Sequence, residues 1–322
     1  MRRRAAALAC VMALSAPAMA EPLRITADPI ESFQRLFSGD AFGPFAWRGG
    51  LTLSSESSTF GGLSGLLLAK GCEDVLAVSD SGAWLKGRLT YEGGRLSGFS
   101  GGAMAPIRDS KGGLQKDKAW LDSESIAWGP DGTVAVGFER RVRFGLFDVA
   151  AQGFDAPSKL MPHPEAIDAG PENGEVEALD FLNDGRALAI AEKNFDAKGN
   201  IRAWAWQGRE AVSFTITRYD AYKVTDLTVL DDGSVLTLER RFTTDSLPGM
   251  AVRRFRAADI KEGAVLSPDL LLEATAPLYV IDNMEGMAVC QREGETRVTL
   301  MSDDNFNRGI QSTILLQFAY KP

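Results

Sequence analysis

The chain has 322 residues, a formal net charge of −8 and 45% hydrophobic side chains. That much apolar content excludes a disordered chain, and the negative charge repels nucleic acid and anionic membrane surfaces, so neither is an expected partner. A single histidine and three cysteines leave little material for zinc or thiol chemistry.

Residues 1–20 read as a secretory signal: Arg2, Arg3 and Arg4, then an apolar run from Ala5 to Leu14, then Ala18-Met19-Ala20 as an A-x-A cleavage site. The run is too short to span a bilayer, which takes about 20 apolar residues. The expected mature protein is one domain over residues 21–322, periplasmic or secreted, and loss of the three arginines takes its charge from −8 to −11. Cys10 leaves with the signal. Cys72 and Cys290 remain, either bridged or as two small buried residues.

A short helix is expected near 29–36, followed by a strand at 45–53. From there the chain repeats. Gly62-Leu63-Ser64-Gly65 to Val78-Ser79-Asp80, Ser123-Glu124-Ser125 to Phe138-Glu139-Arg140, and Val176-Glu177-Ala178 to Ala191-Glu192-Lys193 share one plan. Val224-Thr225-Asp226 to Leu238-Glu239-Arg240 and Met284-Glu285-Gly286 to Ser302-Asp303-Asp304 continue it. Each unit is an apolar strand opened by a polar residue, a turn, and a second apolar strand closed by an acid. Pro130-Asp131-Gly132, Asn183-Asp184-Gly185 and Asp231-Asp232-Gly233 supply the turns, since they tolerate the positive φ of tight hairpins.

The closing acids Asp80, Glu139, Glu192, Glu239 and Asp303 recur at 59, 53, 47 and 64 residues, a spacing that fits one four-stranded blade per unit. The expected fold is all-β, a β-propeller of five blades, with a sixth blade in residues 83–120 as the alternative. Segments 142–147, 201–206 and 212–217 supply outer strands. Pairing of 313–318 with 45–53 would build one blade from both ends of the chain and close the ring without exposed edges.

Equivalent positions of radial repeats converge on the axis. Ser64, Glu124, Glu177, Asp226 and Glu285 open the innermost strands, and the closing acids lie beside them in each hairpin, so two acidic sets meet at one mouth of the channel. Clustered carboxylates repel unless they share protons, meet cations or hold a hard metal ion. Lys193, Arg140 and Arg240 follow three of the closing acids and supply part of the compensation. The oxygen-only donor set suits calcium, ligated by Glu124, Glu177, Asp226 and Glu285 with Glu139, Glu192, Glu239, Asp80 and Asp303 around them. The competing reading is an ion-pair framework that ties blade to blade. The G-x-S-x-G string at Gly98 to Gly102 is set aside, because no helix follows it and its histidine would have to be His163, which lies between two prolines.

Gly61-Gly62-Leu63-Ser64-Gly65, Val78-Ser79-Asp80, Asp122-Ser123-Glu124-Ser125, Gly137-Phe138-Glu139-Arg140, Asn283-Met284-Glu285-Gly286 and Ser302-Asp303-Asp304-Asn305 together resemble the phytase-like family, described as having esterase-like activity of phytase. The resemblance spans about residues 45–320. It implies an exported bacterial propeller and calcium-assisted attack of water on a phosphate ester; the expected partner is a small-molecule substrate and the expected state a monomer. In that reading Glu177, Lys193, Arg140 and Arg240 are the catalytic set. The alternative is a non-catalytic propeller with structural calcium that binds a small ligand or a protein partner. Arg140, Lys193, Arg240, Arg241, Arg253 and Arg254 look scattered along the sequence, which argues against a hexaphosphate substrate.

Overall fold

The computed structural model describes residues 20–36, 39–170, 176–243 and 246–322. The signal reading of residues 1–20 falls, but for Ala20, outside them. The chain forms five sheets in sequence order, antiparallel but for one short parallel edge pair of Glu210–Ile216 with Val265–Leu266, each laid out from an innermost to an outer strand. The innermost strands are Leu63–Leu68, Ser123–Trp128, Ala178–Phe181, Lys223–Val229 and Asn283–Arg292. Each lies against the next and the fifth lies against the first, so they form a ring about one channel.

No sixth blade exists among the described residues. Segment 83–120 instead holds Ala83–Glu92 and Arg95–Pro106, the long outer strands of the first blade. Thr313–Tyr320 pairs with Phe45–Ser54, with Leu315 opposite Leu51, so the fifth blade draws its strands from both ends of the chain. Disulfide-bonded Cys72 and Cys290 staple that blade to the first. The expected helix at 29–36 is absent. Thr26–Ile30 is a strand paired with Phe45–Ser54, and the chain then bends to bury Phe33 among Phe42, Trp47, Tyr279 and Phe318. An aromatic anchor of this size outweighs local helix preference.

The alternation of apolar residues places one layer of core between each pair of neighbouring sheets. Trp47, Trp84, Trp204 and Trp206 are buried in these layers, whereas Trp120 and Trp128 are exposed. The turn segments close alike: Gly185 donates to the Leu182 carbonyl and Gly233 to the Leu230 carbonyl, with φ of 87° and 79° that only glycine adopts without strain.

Candidate active site at the channel mouth

A bulge at the start of the innermost strand builds the mouth. In the first, second and fifth blades Ser64, Glu124 and Glu285 are the extra residues in the register, and Glu177 holds the same place ahead of Ala178. Such a residue leaves the ladder and turns away from the sheet plane, here toward the axis. The adjacent strand ends there too: Asp80 and Glu139 donate their backbone N–H to the carbonyls of Gly62 and Asp122, and Asp303 stands opposite Asn283.

The fourth blade differs from expectation by one residue. Val224 pairs with Glu239 and Asp226 with Leu238, so the bulged residue is Thr225, and Arg240 is the strand-end residue, opposite Lys223. The two rings therefore read Ser64, Glu124, Glu177, Thr225, Glu285 and Asp80, Glu139, Glu192, Arg240, Asp303. Ser64 and Thr225 hydroxyls donate to the carbonyls of Ser123 and Met284 in the next blade, at 2.6 and 3.0 Å.

Asp226 and Glu239 consequently do not join the mouth carboxylates. Asp226 accepts from the backbone N–H of Leu227 at 2.8 Å and of Met287 in the next blade at 2.6 Å. Asp180 does the same toward Phe181 and Val229, so the pair stitches three innermost strands together. Burial pushes both carboxyls up, Asp180 to about 6, against the pull of these hydrogen bonds. Glu239 is enclosed with Arg253, whose Nε donates to it at 2.7 Å, and with Thr237.

The remaining groups divide by charge. On the second-blade side, Asp122, Glu124 and Glu139 each offer a carboxylate oxygen within 4.8 Å of the others. Asp122 was missed as a site residue, although its place opposite Glu139 marks it. Lys118 bridges it to Asp80, at 2.6 and 2.9 Å, and Arg140 Nε pairs with its second oxygen. Burial, then the charges of Glu177, Asp122, Glu139 and Glu285, hold Glu124 well above the usual carboxylate range. Glu177 is raised in the same way, by burial and then by Glu192 and Glu285.

Across the channel the cations gather. Arg240 Nη2 lies 3.3 Å from Glu192 and Nη1 lies 3.1 Å from Glu285, and Nη1 also donates to Asn283 Oδ1 at 2.5 Å. Lys193 and Lys223 reach Glu192 at 2.5 and 3.4 Å. Adjacent Glu192 and Lys193 can meet because the register breaks between Ile190 and Phe195. Burial would raise Glu192, but Arg240, Lys193 and Lys223 together hold it below its ordinary value. Burial carries Glu285 up to about 7 despite Arg240, and carries Asp303 to about 8 beside Glu285, Asp80 and Asp304.

Ser100 of the G-x-S-x-G string lies within the strand Arg95–Pro106. His163 pairs with Asp168 at 2.8 Å. The opposite end of the channel, a cavity of about 820 Å³ lined by Trp128, Phe181 and Leu227 among others, carries no comparable carboxylate cluster among the described residues. No described helix is long and apolar enough to cross a membrane.

None of the curated proteins matches. Among solved structures, a gluconolactonase from Xanthomonas campestris is 10% identical, over 92% of this chain and 99% of that one, with a TM-score of 0.46. A protein of unknown function from Dyadobacter fermentans is 11% identical over 94% and 95%, with a TM-score of 0.45. Virginiamycin B lyase from Staphylococcus aureus is 10% identical over 84% and 70%, with a TM-score of 0.40. The profile of the phytase-like family matches residues 58–306, a stretch that runs from the first blade to the closing acids of the fifth. The chain belongs to that family, whose description is esterase-like activity of phytase.

Proposed function

We propose that the chain is a calcium-dependent hydrolase of small phosphate esters, exported and acting as a monomer at the acidic mouth. One observation carries the reading: the oxygens of Asp122, Glu124 and Glu139 lie within 4.8 Å of one another. Lys118 and Arg140 compensate Asp122, while Glu124 faces burial and four carboxylates. A hard cation relieves that repulsion, and an all-oxygen donor set suits calcium better than zinc. The Cys72–Cys290 bridge is consistent with an oxidising, extracytoplasmic compartment.

Calcium held by Asp122, Glu124 and Glu139 would polarise an ester oxygen and lower the pKa of a bound water. The chain's own groups supply the rest. Arg140, Lys193 and Arg240 meet the anionic phosphoryl oxygens from two sides of the mouth. Glu177, whose pKa is raised, is suited to accept a proton from water and return it to the departing alkoxide, so that water and ester give alcohol and phosphate. Glu285, Asp80, Asp303 and Glu192 frame the site. Asp226 and Glu239 fall outside the ligand set, because their oxygens serve the backbone and Arg253.

The test is hydrolysis of p-nitrophenyl phosphate and bis-p-nitrophenyl phosphate, with and without chelator, by the wild type and Glu177→Gln. Chelator and substitution should each abolish turnover; turnover indifferent to both overturns the reading. Neutralisation of Asp122 by two cations favours a second reading, a non-catalytic binding propeller with structural calcium. Calcium would then raise the melting temperature with no turnover of any ester.

A further inference from the structure

Beside the second blade, the mouth continues into a groove of about 1480 Å³. Its charge opposes that of the chain. Arg108, Lys111, Arg140, Arg141, Arg143 and Arg209 line it against three carboxylates, in a chain of net charge −8. Of these, Arg108 is paired with Asp155 at 2.7 Å, Asp109 accepts from the backbone of Lys111 and Gly113 and from Gln115, and Asp168 is bound to His163.

Arg141 and Arg143 are the unusual pair. Neither forms an ion pair among the described residues. Both guanidinium groups instead stand over one indole, 4.6 and 5.2 Å from the ring centre of Trp120, which is 37% exposed. Arg143 also lies 3.8 Å from the Phe138 ring, and burial with the charge of Arg141 lowers its pKa to about 10. Arg143 Nη1 and Nη2 donate to the carbonyls of Arg141 and Trp120, which fix it in place, and two like charges held together on an exposed aromatic face with no counter-ion suit an oxyanion.

Backbone geometry links this pair to the mouth. Arg140 has a φ of 52°, a left-handed conformation that is costly for a residue carrying a Cβ. The resulting turn, closed by the Arg141 N–H on the Glu139 carbonyl at 2.5 Å, divides consecutive arginines. Arg140 pairs with Asp122 at the mouth, and Arg141 goes to Trp120 in the groove.

We propose that the groove is an anion subsite, in which Arg141, Arg143 and Trp120 hold a second, non-reacting anionic group of the substrate. The molecule accepted is thus an ester with at least two anionic groups, one at the mouth and one on the stack. The word substrate rests on the hydrolase reading; the anion subsite does not.

The experiment is calorimetric titration of the full chain with inorganic tripolyphosphate in metal-free buffer. Wild type should bind with an affinity that falls as salt rises. Arg141→Gln/Arg143→Gln should bind about tenfold or more weakly, while Arg256→Gln, which removes an exposed arginine outside the groove, should bind within about threefold of wild type. Arg141→Glu serves if the double variant does not fold, since Arg141 is exposed. No binding by wild type, undiminished binding by the groove arginine variants, or an equal loss in Arg256→Gln overturns the subsite. Binding is read without turnover, so an anion site with no esterase activity removes the hydrolase reading and leaves the subsite standing.

Discussion

Replacing Glu285 by glutamine should stabilise the metal-free protein at alkaline pH. Glu285 is 8% exposed, lies 3.1 Å from Arg240 and accepts from Asn283 Nδ2 at 2.8 Å. Burial raises its pKa from the ordinary 4.5 to about 7, with Arg240 opposing and Glu192 adding to the rise. Because the folded value lies above the unfolded one, the carboxyl's contribution to stability is full below pH 4.5 and is lost as pH rises through 7. The gap corresponds to roughly 3 kcal/mol. Glutamine keeps the contact with Asn283 and cannot ionise. The variant should therefore exceed wild type by about 3 kcal/mol at pH 8.5 and by less than about 1 at pH 5. For a chain of this length that is a midpoint difference on the order of 5 °C. Thermal melts by circular dichroism in chelator, at both pH values, measure it. A variant no more stable than wild type at pH 8.5 would mean that Arg240 outweighs burial, and that Glu285 is an ion-pair partner held ionised by the fold.

Glu124→Gln removes the central member of the carboxylate triad, and should erase most of the calcium-induced rise in melting temperature and cost about a hundredfold or more in turnover; an undiminished calcium shift would place the ion elsewhere. Cys72→Ser/Cys290→Ser opens a loop spanning a sequence separation of 218, for which the chain-entropy estimate is a loss of about 5 kcal/mol in urea unfolding. An unchanged midpoint would show that strand pairing alone closes the ring. Gly62→Ala puts a Cβ 2.3 Å from Asp80 Oδ1 and 2.5 Å from the Phe306 ring at a φ of 63°. It should lower stability by about 2 kcal/mol or more and displace Asp80 from the mouth, which a melt of the variant would register.

The architecture was legible because it is written five times. A strand-end acid recurs in four blades, with Glu239 one place short of it in the fourth, and the terminal strands are apolar enough to be buried together in one blade. The helix expected near 29–36 failed for a reason that local pattern does not carry, because Phe33 answers to four aromatic rings brought from 42, 47, 279 and 318. The basic groove was equally hidden. Arg140, Arg141 and Arg143 lie together in sequence, but Arg108 and Arg209 join them only through the packing of neighbouring blades. Scattered arginines in a string became one surface in the fold.

The misplacement of Asp226 and Glu239 shows where legibility ends. Each is an acid beside the right position, and a count of acids places both in the rings; only the register, with Val224 opposite Glu239 and Asp226 opposite Leu238, reveals that the blade is shifted by one. A shift of one residue in a strand exchanges the faces on which side chains stand. It takes two carboxylates from the mouth and gives it Thr225 and Arg240 instead. Arg240, held by Glu192 and Glu285, then polarises the site: carboxylates crowd the second blade and cations the fourth. Two rings carrying nine acids could only have bound cations. With an arginine in the fourth position, the same mouth can hold a cation on one side and the anionic end of an ester on the other.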